Sequence, residues 1–142
     1  MNRVQLIKDL RRDEGSVRHA YRDSKGYWTI GIGHLIAKRR GGGISADVER
    51  YILDGDIDAV ARGLDTHVVW WRALPEPAQR ALANMTFQMG LRGVLKFKKM
   101  ITALERRDYV RAADEALDSK YARSDSPERA ERIAALYRGC IE

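Results

Sequence analysis

Residues 13–35 read DEGSVRHAYRDSKGYWTIGIGHL, and the change of pattern inside this stretch decides the fold class. Before it, Asn2 caps a helix that carries Val4, Leu6, Ile7 and Leu10 on one side, and Gly15 is a natural residue for the turn that ends it. Inside it, Asp23-Ser24-Lys25-Gly26 reads as a hairpin turn, and 27–34 reads as a strand, aromatic and β-branched with glycines at alternate places. Beyond it, Arg39-Arg40-Gly41-Gly42-Gly43 is a flexible break and the candidate boundary between lobes. Ser45 then caps a second helix, with Val48, Ile52, Leu53, Ile57, Val60 and Leu64 near a 3.6-residue period.

From Trp70 onward every segment reads helical. Pro75 and Pro77 open a helix with Leu82, Met85 and Met89, which Gly90 and Gly93 break. Val94, Phe97, Ile101 and Leu104 follow, and Asp108 caps a short helix. Ser126-Pro127-Glu128 supplies a cap, a proline at the first helical position and an acid in the first turn, ahead of Ile133, Leu136 and Tyr137. Strands followed by a run of helices give an α+β, mostly helical chain.

A length of 142 residues fits one domain or two small lobes. Hydrophobic residues at 44% against 32% charged mark a globular chain rather than a disordered one. No apolar run approaches the roughly 20 residues that span a bilayer. The opening MNRVQLIKDLRRDEG lacks an apolar h-region, so the expectation is synthesis in a cytosol without a Sec signal. A lone cysteine, Cys140, excludes an internal disulfide and a multi-cysteine zinc site; its place near the C-terminus reads as a small packing residue. His19, His34 and His67 are scattered, so neither a metal nor another cofactor is expected. The net charge of +6 suits polyanions such as nucleic acid, anionic lipid or bacterial wall polymers, and does not choose among them.

Glu14 falls at the C-terminal end of the first helix, where the macrodipole disfavours a negative charge, so local stability does not explain it. A general acid must hold its proton near neutral pH, and such a position serves that need; a solvated carboxylate beside a helix end is the plainer alternative. Asp23, nine residues on, either bonds its own turn backbone or faces Glu14 across a cleft. Two facing carboxyls are the minimal machinery of glycoside hydrolysis. Thr29 offers a hydroxyl that could hold a water, or is simply a β-branched strand residue. His34 reads as structural, with Asp56 as a partner. Trp70-Trp71 could stack on sugar rings or pack in a core.

Taken together, these residues resemble the active-site segment of the phage-type lysozymes, the T-even bacteriophage endolysins and their relatives (glycoside hydrolase family 24). The Glu14-Gly15 pair, the gaps to Asp23 and Thr29, and Gly31-Ile32-Gly33-His34 all match. Asp56-Ile57-Asp58-Ala59-Val60 with Arg62-Gly63, Asn84-Met85-Thr86-Phe87-Gln88-Met89-Gly90, and Pro127-Glu128-Arg129-Ala130 are similar to further family motifs, in order along the chain. The 38–45 segment is shorter than in the T-even enzymes, and Tyr121 stands where the family has Trp.

The resemblance implies a two-lobed lysozyme-like fold: a small β-hairpin lobe over about 14–45, a connecting helix over about 46–65, and a helical lobe over about 66–142 joined by the N-terminal helix. It implies hydrolysis of the β-1,4 link between N-acetylmuramic acid and N-acetylglucosamine in peptidoglycan. Glu14 is then the proton donor, and Asp23 with Thr29 holds the attacking water. His34 pairs with Asp56, Arg129 lies against Glu14, and Leu35, Phe87 and Gln88 line the sugar cleft. The enzyme would act on peptidoglycan as a monomer, leaving the host bacterial cytoplasm through a membrane pore made by a holin.

Competing readings are a lytic transglycosylase, which needs no water-holding Asp23 and Thr29, and a non-catalytic glycan-binding protein, which would have no need of Glu14 and Asp23. No recognition motif for nucleic acid is present, and the densest basic cluster is Lys96-Phe97-Lys98-Lys99. The 126–138 segment mixes Glu128 and Glu131 with its arginines, too balanced for a membrane-active cationic helix.

Overall fold

The computed structural model of the chain describes residues 1–22, 28–31, 34–37 and 44–140, with side chains for 1–16, 29, 31 and 44–140. Among the described residues, six α-helices and three strands follow the order α1 (Arg3–Glu14), β1 (Val17–Arg22), β2 (Trp28–Gly31), β3 (His34–Ala37), α2 (Ala46–His67), α3 (Glu76–Leu95), α4 (Lys98–Glu105), α5 (Tyr109–Leu117) and α6 (Pro127–Arg138). The chain is mostly helical, as its pattern predicts. It divides into two compact units, one of Val4–Ala59 and one of Met1–Arg3 with Val60–Glu142, so the division falls within α2.

In the first unit, α1 buries Leu6, Ile7 and Leu10 while Val4 faces out. Gly15 ends the helix with φ +75, its N–H donating to the Arg11 carbonyl at 3.0 Å; a residue with a Cβ resists this left-handed conformation. The expected single strand over 27–34 is instead two strands. β2 ends at Gly31, which takes φ +65, and β3 pairs antiparallel with β2. The sheet is antiparallel in the order β1-β2-β3, which makes β2 central. The turn at 23–26, the glycine run at 39–43 and the C-terminal pair 141–142 lie outside the described residues. In α2, Ser45 Oγ accepts from the Val48 N–H at 3.3 Å, the expected cap. Leu53 and Ile57 form the buried stripe, and Val48, expected on it, is 44% exposed.

The second unit continues from Val60. Trp71 is fully buried and its Nε1 donates to Asp65 at 2.7 Å. Arg72 grips the same carboxylate with two nitrogens, at 2.6 and 2.9 Å, and stacks over the Trp71 ring. Trp71 therefore packs, which settles one of the two readings of that side chain.

Helix α3 is buried on every side between Ala81 and Thr86. Gly90 kinks it with φ 76 and ψ 162. Gly93, expected to break the helix, stays inside it. The Met89 side chain lies over it, 3.0 Å from where a Cβ would stand, so the glycine serves close packing rather than termination. Asp108 caps α5 through the Arg111 N–H at 3.0 Å, as expected. A single π turn, Tyr121–Asp125, leads into α6, and Tyr121 packs edge-on against Phe97 at 6.2 Å between ring centroids. Helix α6 packs on α5 and on α3. Ala78, Ala81, Ala83, Ala112, Ala113, Ala116, Ala130 and Ala134 are all fully buried, so small side chains pack α3, α5 and α6. Cys140 is buried and donates to the Leu136 carbonyl at 3.3 Å.

The bonds from Arg72, and then from Trp71, hold the Asp65 carboxyl below the usual range. A folded-state value below the unfolded one gives stability above the unfolded pKa, about 3.9, which is lost as pH falls through the depressed value. Asp65→Asn should therefore lower Tm at pH 7, and the deficit should fade below about pH 4. Thermal melts of both proteins from pH 7 to pH 2 check this; a deficit constant with pH contradicts it.

Candidate active site

Glu14 is the last residue of α1 and is half-buried. The turn that carries it is fixed by Arg12, whose Nε donates to Asp13 at 2.9 Å and whose NH1 lies 3.7 Å from Asp9. Three residues after Glu14, Val17 opens the β1–β2 ladder opposite Gly31. Three residues of chain reach at most roughly 10 Å, so Glu14 stands close to that rung. Two residues back from Gly31 on the central strand is Thr29, buried at 5% exposure. Thr29 pairs with Tyr21 on one side and Leu35 on the other. Both ladders shift register beside it, between Val17 and Tyr21 and between Trp28 and Thr29. Such irregularities re-aim a side chain out of the regular pleat.

Asp23 directly follows the end of β1 but lies outside the described residues. His34 and Leu35 are described as backbone of β3, and their side chains lie outside. Asp56 is half-buried on α2. The pairing of His34 with Asp56 and the separation of Glu14 from Asp23 therefore fall outside the described residues.

In the helical unit, two of the sequence motifs meet. Arg129, at the start of α6, is buried at 5% exposure, and its Nε donates to Asn84 Oδ1 at 2.8 Å. One helical turn further along α3, Gln88 Nε2 donates to Ser126 Oγ at 2.7 Å. Ser126 occupies the cap position of α6 but makes no side-chain cap bond, contrary to expectation; its hydroxyl accepts from Gln88 instead. Phe87 and Gln88 are half-buried.

Sequence reasoning missed Glu49. It sits in the first turn of α2, is 3% exposed, and accepts from Ser16 Oγ at 2.9 and 3.1 Å. Arg11 approaches it at 3.8 Å. A signal was present: Glu49 precedes Leu53 and Ile57 by four and eight residues, which puts a carboxylate on the apolar stripe. Asn84 was also missed as a functional partner, although its motif was recognised.

Two surface cavities, of about 410 and 420 Å³, lie along α4 and are lined in part by Lys98 and Lys99. They hold none of the expected site residues. No group of three or more His, Cys, Asp or Glu among the described residues could hold a metal ion. No described helix is long and apolar enough to cross a membrane.

Residues 11–136 match the family described as Phage lysozyme. The chain is 32% identical over 158 aligned positions to the pre-baseplate central spike protein Gp5 of Enterobacteria phage T4, covering 94% of this chain and 27% of that protein. It is 28% and 29% identical to the probable T4-type lysozymes 1 and 2 of Dictyostelium discoideum, with 94% of each chain covered. It thus spans about a quarter of the spike protein and nearly the whole of the two lysozymes.

Removing a buried acceptor leaves its donor to bear the desolvation penalty. Asn84→Ala should cost about 1 to 3 kcal/mol by taking the Nε acceptor from Arg129. Urea unfolding with an unchanged m-value measures it; a loss indistinguishable from zero means the bond adds no net stability.

Proposed function

Because this chain belongs to the phage lysozyme family, we propose that it is a peptidoglycan muramidase that hydrolyses the β-1,4 link between N-acetylmuramic acid and N-acetylglucosamine. One observation carries the reading: Glu14 ends α1 three residues before the ladder whose central strand holds Thr29. In the proposed reaction Glu14 gives its proton to the glycosidic oxygen as the bond to the anomeric carbon breaks. A water held by Thr29 and Asp23 adds its oxygen to that carbon from the opposite face, and its proton passes to Asp23. A carboxylate that attacks carbon directly has no need of a hydroxyl partner, whereas one that must hold a water gains from a second anchor. The product is then the inverted anomer, with the two carboxyls roughly 6.5 to 9.5 Å apart to admit the water.

Leu35, which stands beside Thr29 in register, is proposed to contact sugar together with Phe87 and Gln88. Arg129 and the His34–Asp56 pair are proposed as supports. We further propose a small β-lobe and a helical lobe, monomeric action without a cofactor, and an endolysin role: release from a host cytoplasm through a holin pore onto the wall. The +6 charge suits an anionic wall. The match to the spike protein favours a second reading, the same chemistry performed as part of a larger virion protein.

Glu14→Gln should reduce lysis of outer-membrane-permeabilised cells by roughly 10²- to 10⁴-fold while the fold is kept. More than about a tenth of wild-type activity would refute general acid catalysis, which supplies far more than that. Thr29→Val should also lower turnover strongly. NMR of the freshly released reducing end, read before mutarotation, should show the α-anomer first. A first-formed β-anomer makes Asp23 a nucleophile, and a 1,6-anhydro product indicates a transglycosylase.

A further inference from the structure

Glu49 has no part in the proposed reaction, yet it is the point at which the segments bearing the reacting groups are tied together. Its carboxylate takes the Ser16 hydroxyl on both oxygens, at 2.9 and 3.1 Å, and Ser16 lies two residues after Glu14. Arg11, in the same last turn of α1 as Glu14, approaches it at 3.8 Å. On its other side the Glu49 side chain packs against Gly31, two residues after Thr29. A Cβ on Gly31 would stand 3.1 Å from Glu49 Cγ, and Gly31 has φ +65. One side chain rooted in α2 therefore fixes the exit from the Glu14 helix and the end of the Thr29 strand.

A carboxylate is an expensive anchor to bury. It loses hydration that only donors can replace, and a leucine would continue the stripe of Leu53 and Ile57 without that cost. What the carboxylate adds is direction: two oxygens that hold a hydroxyl at one fixed place. Catalysis is sensitive to such placement, since a displacement of about 1 Å can cost around 10²-fold in rate.

We propose that Glu49 is a positioning residue for the hydrolysis, acting through Ser16 on Glu14 and through Gly31 on Thr29. This inference rests on the muramidase reading of Glu14 and Thr29. Steady-state kinetics on a soluble peptidoglycan oligosaccharide test it with wild type, Ser16→Ala, Ser16→Thr, Glu49→Gln and Glu14→Gln. Ser16→Ala removes the hydroxyl and little bulk. It should lower kcat about 10- to 100-fold with KM nearly unchanged. Ser16→Thr, which restores a hydroxyl, should recover most of the rate. Glu49→Gln keeps one acceptor and should fall between wild type and Ser16→Ala.

A merely structural tie would lower Tm and return full kcat on cooling well below it, which overturns the proposal. A folded Ser16→Ala with wild-type kcat also overturns it. Full activity in Glu14→Gln makes the reading of Glu14 wrong, and the positioning role falls with it. The same holds if wild type releases no reducing ends. Amide exchange at 14–16 and 29–31 in Glu49→Gln is the readout independent of turnover. Faster exchange in both segments supports the tether, and unchanged exchange in both overturns it.

Discussion

A charged group leaves water only where partners replace its hydration, and each of the two compact units is built over such a group. In Val4–Ala59 the Glu49 carboxylate is one such group, beside that of Asp9, and in the helical unit it is the Arg129 guanidinium. Apolar contact alone gives a packed helix little preference for one exact placement. A buried carboxylate bonded to Ser16 gives α2 that preference, because displacing it breaks the bond. The same logic joins α3 to α6, where the buried Arg129 donates its Nε–H to Asn84. The apolar residues supply most of the driving force, and the polar pairs choose one arrangement out of many.

Much of this was legible in the sequence. The helix ends at Gly15, Ser45 and Asp108 rest on local chemistry, a left-handed glycine or a side chain capping the next turn, and local chemistry is written in neighbouring residues. Glu14 and Thr29 were recognised by motif, and they stand on a helix end and a central strand. The break of 27–34 into two strands was not legible: the alternation of apolar residues and glycines fits a strand, whereas β2 ends at Gly31, where φ is positive. Nor was the role of Gly93, because a glycine under a neighbour's side chain looks the same in sequence as one that ends a helix. Glu49 escaped because an acid in a first turn already has a sufficient reason, the helix dipole.

Ser126 shows how two local rules compete. A serine at a cap position bonds the helix's own N–H groups, and losing that bond costs about 1 kcal/mol. Pro127, which follows, has no N–H, so the first turn of α6 has one fewer donor to satisfy. The serine hydroxyl is left to accept from Gln88, 38 residues away, and a capping signal becomes a tertiary bond. The Gln88–Ser126 and Asn84–Arg129 bonds thus join motifs that are far apart in the chain and near in space.

The fully buried alanines of α3, α5 and α6 carry a consequence of another kind. A helix that presents a methyl group lets its neighbour's backbone come close, and close backbones leave no room for a larger side chain. Added methylenes in such packing cost about 1 to 3 kcal/mol each site. The usual survey of a core, truncation to alanine, is blind at these positions, since nothing remains to remove. At these positions the fragility lies in gains of volume, so a library of enlarging substitutions would find tight packing there that a scan of deletions would pass over in silence.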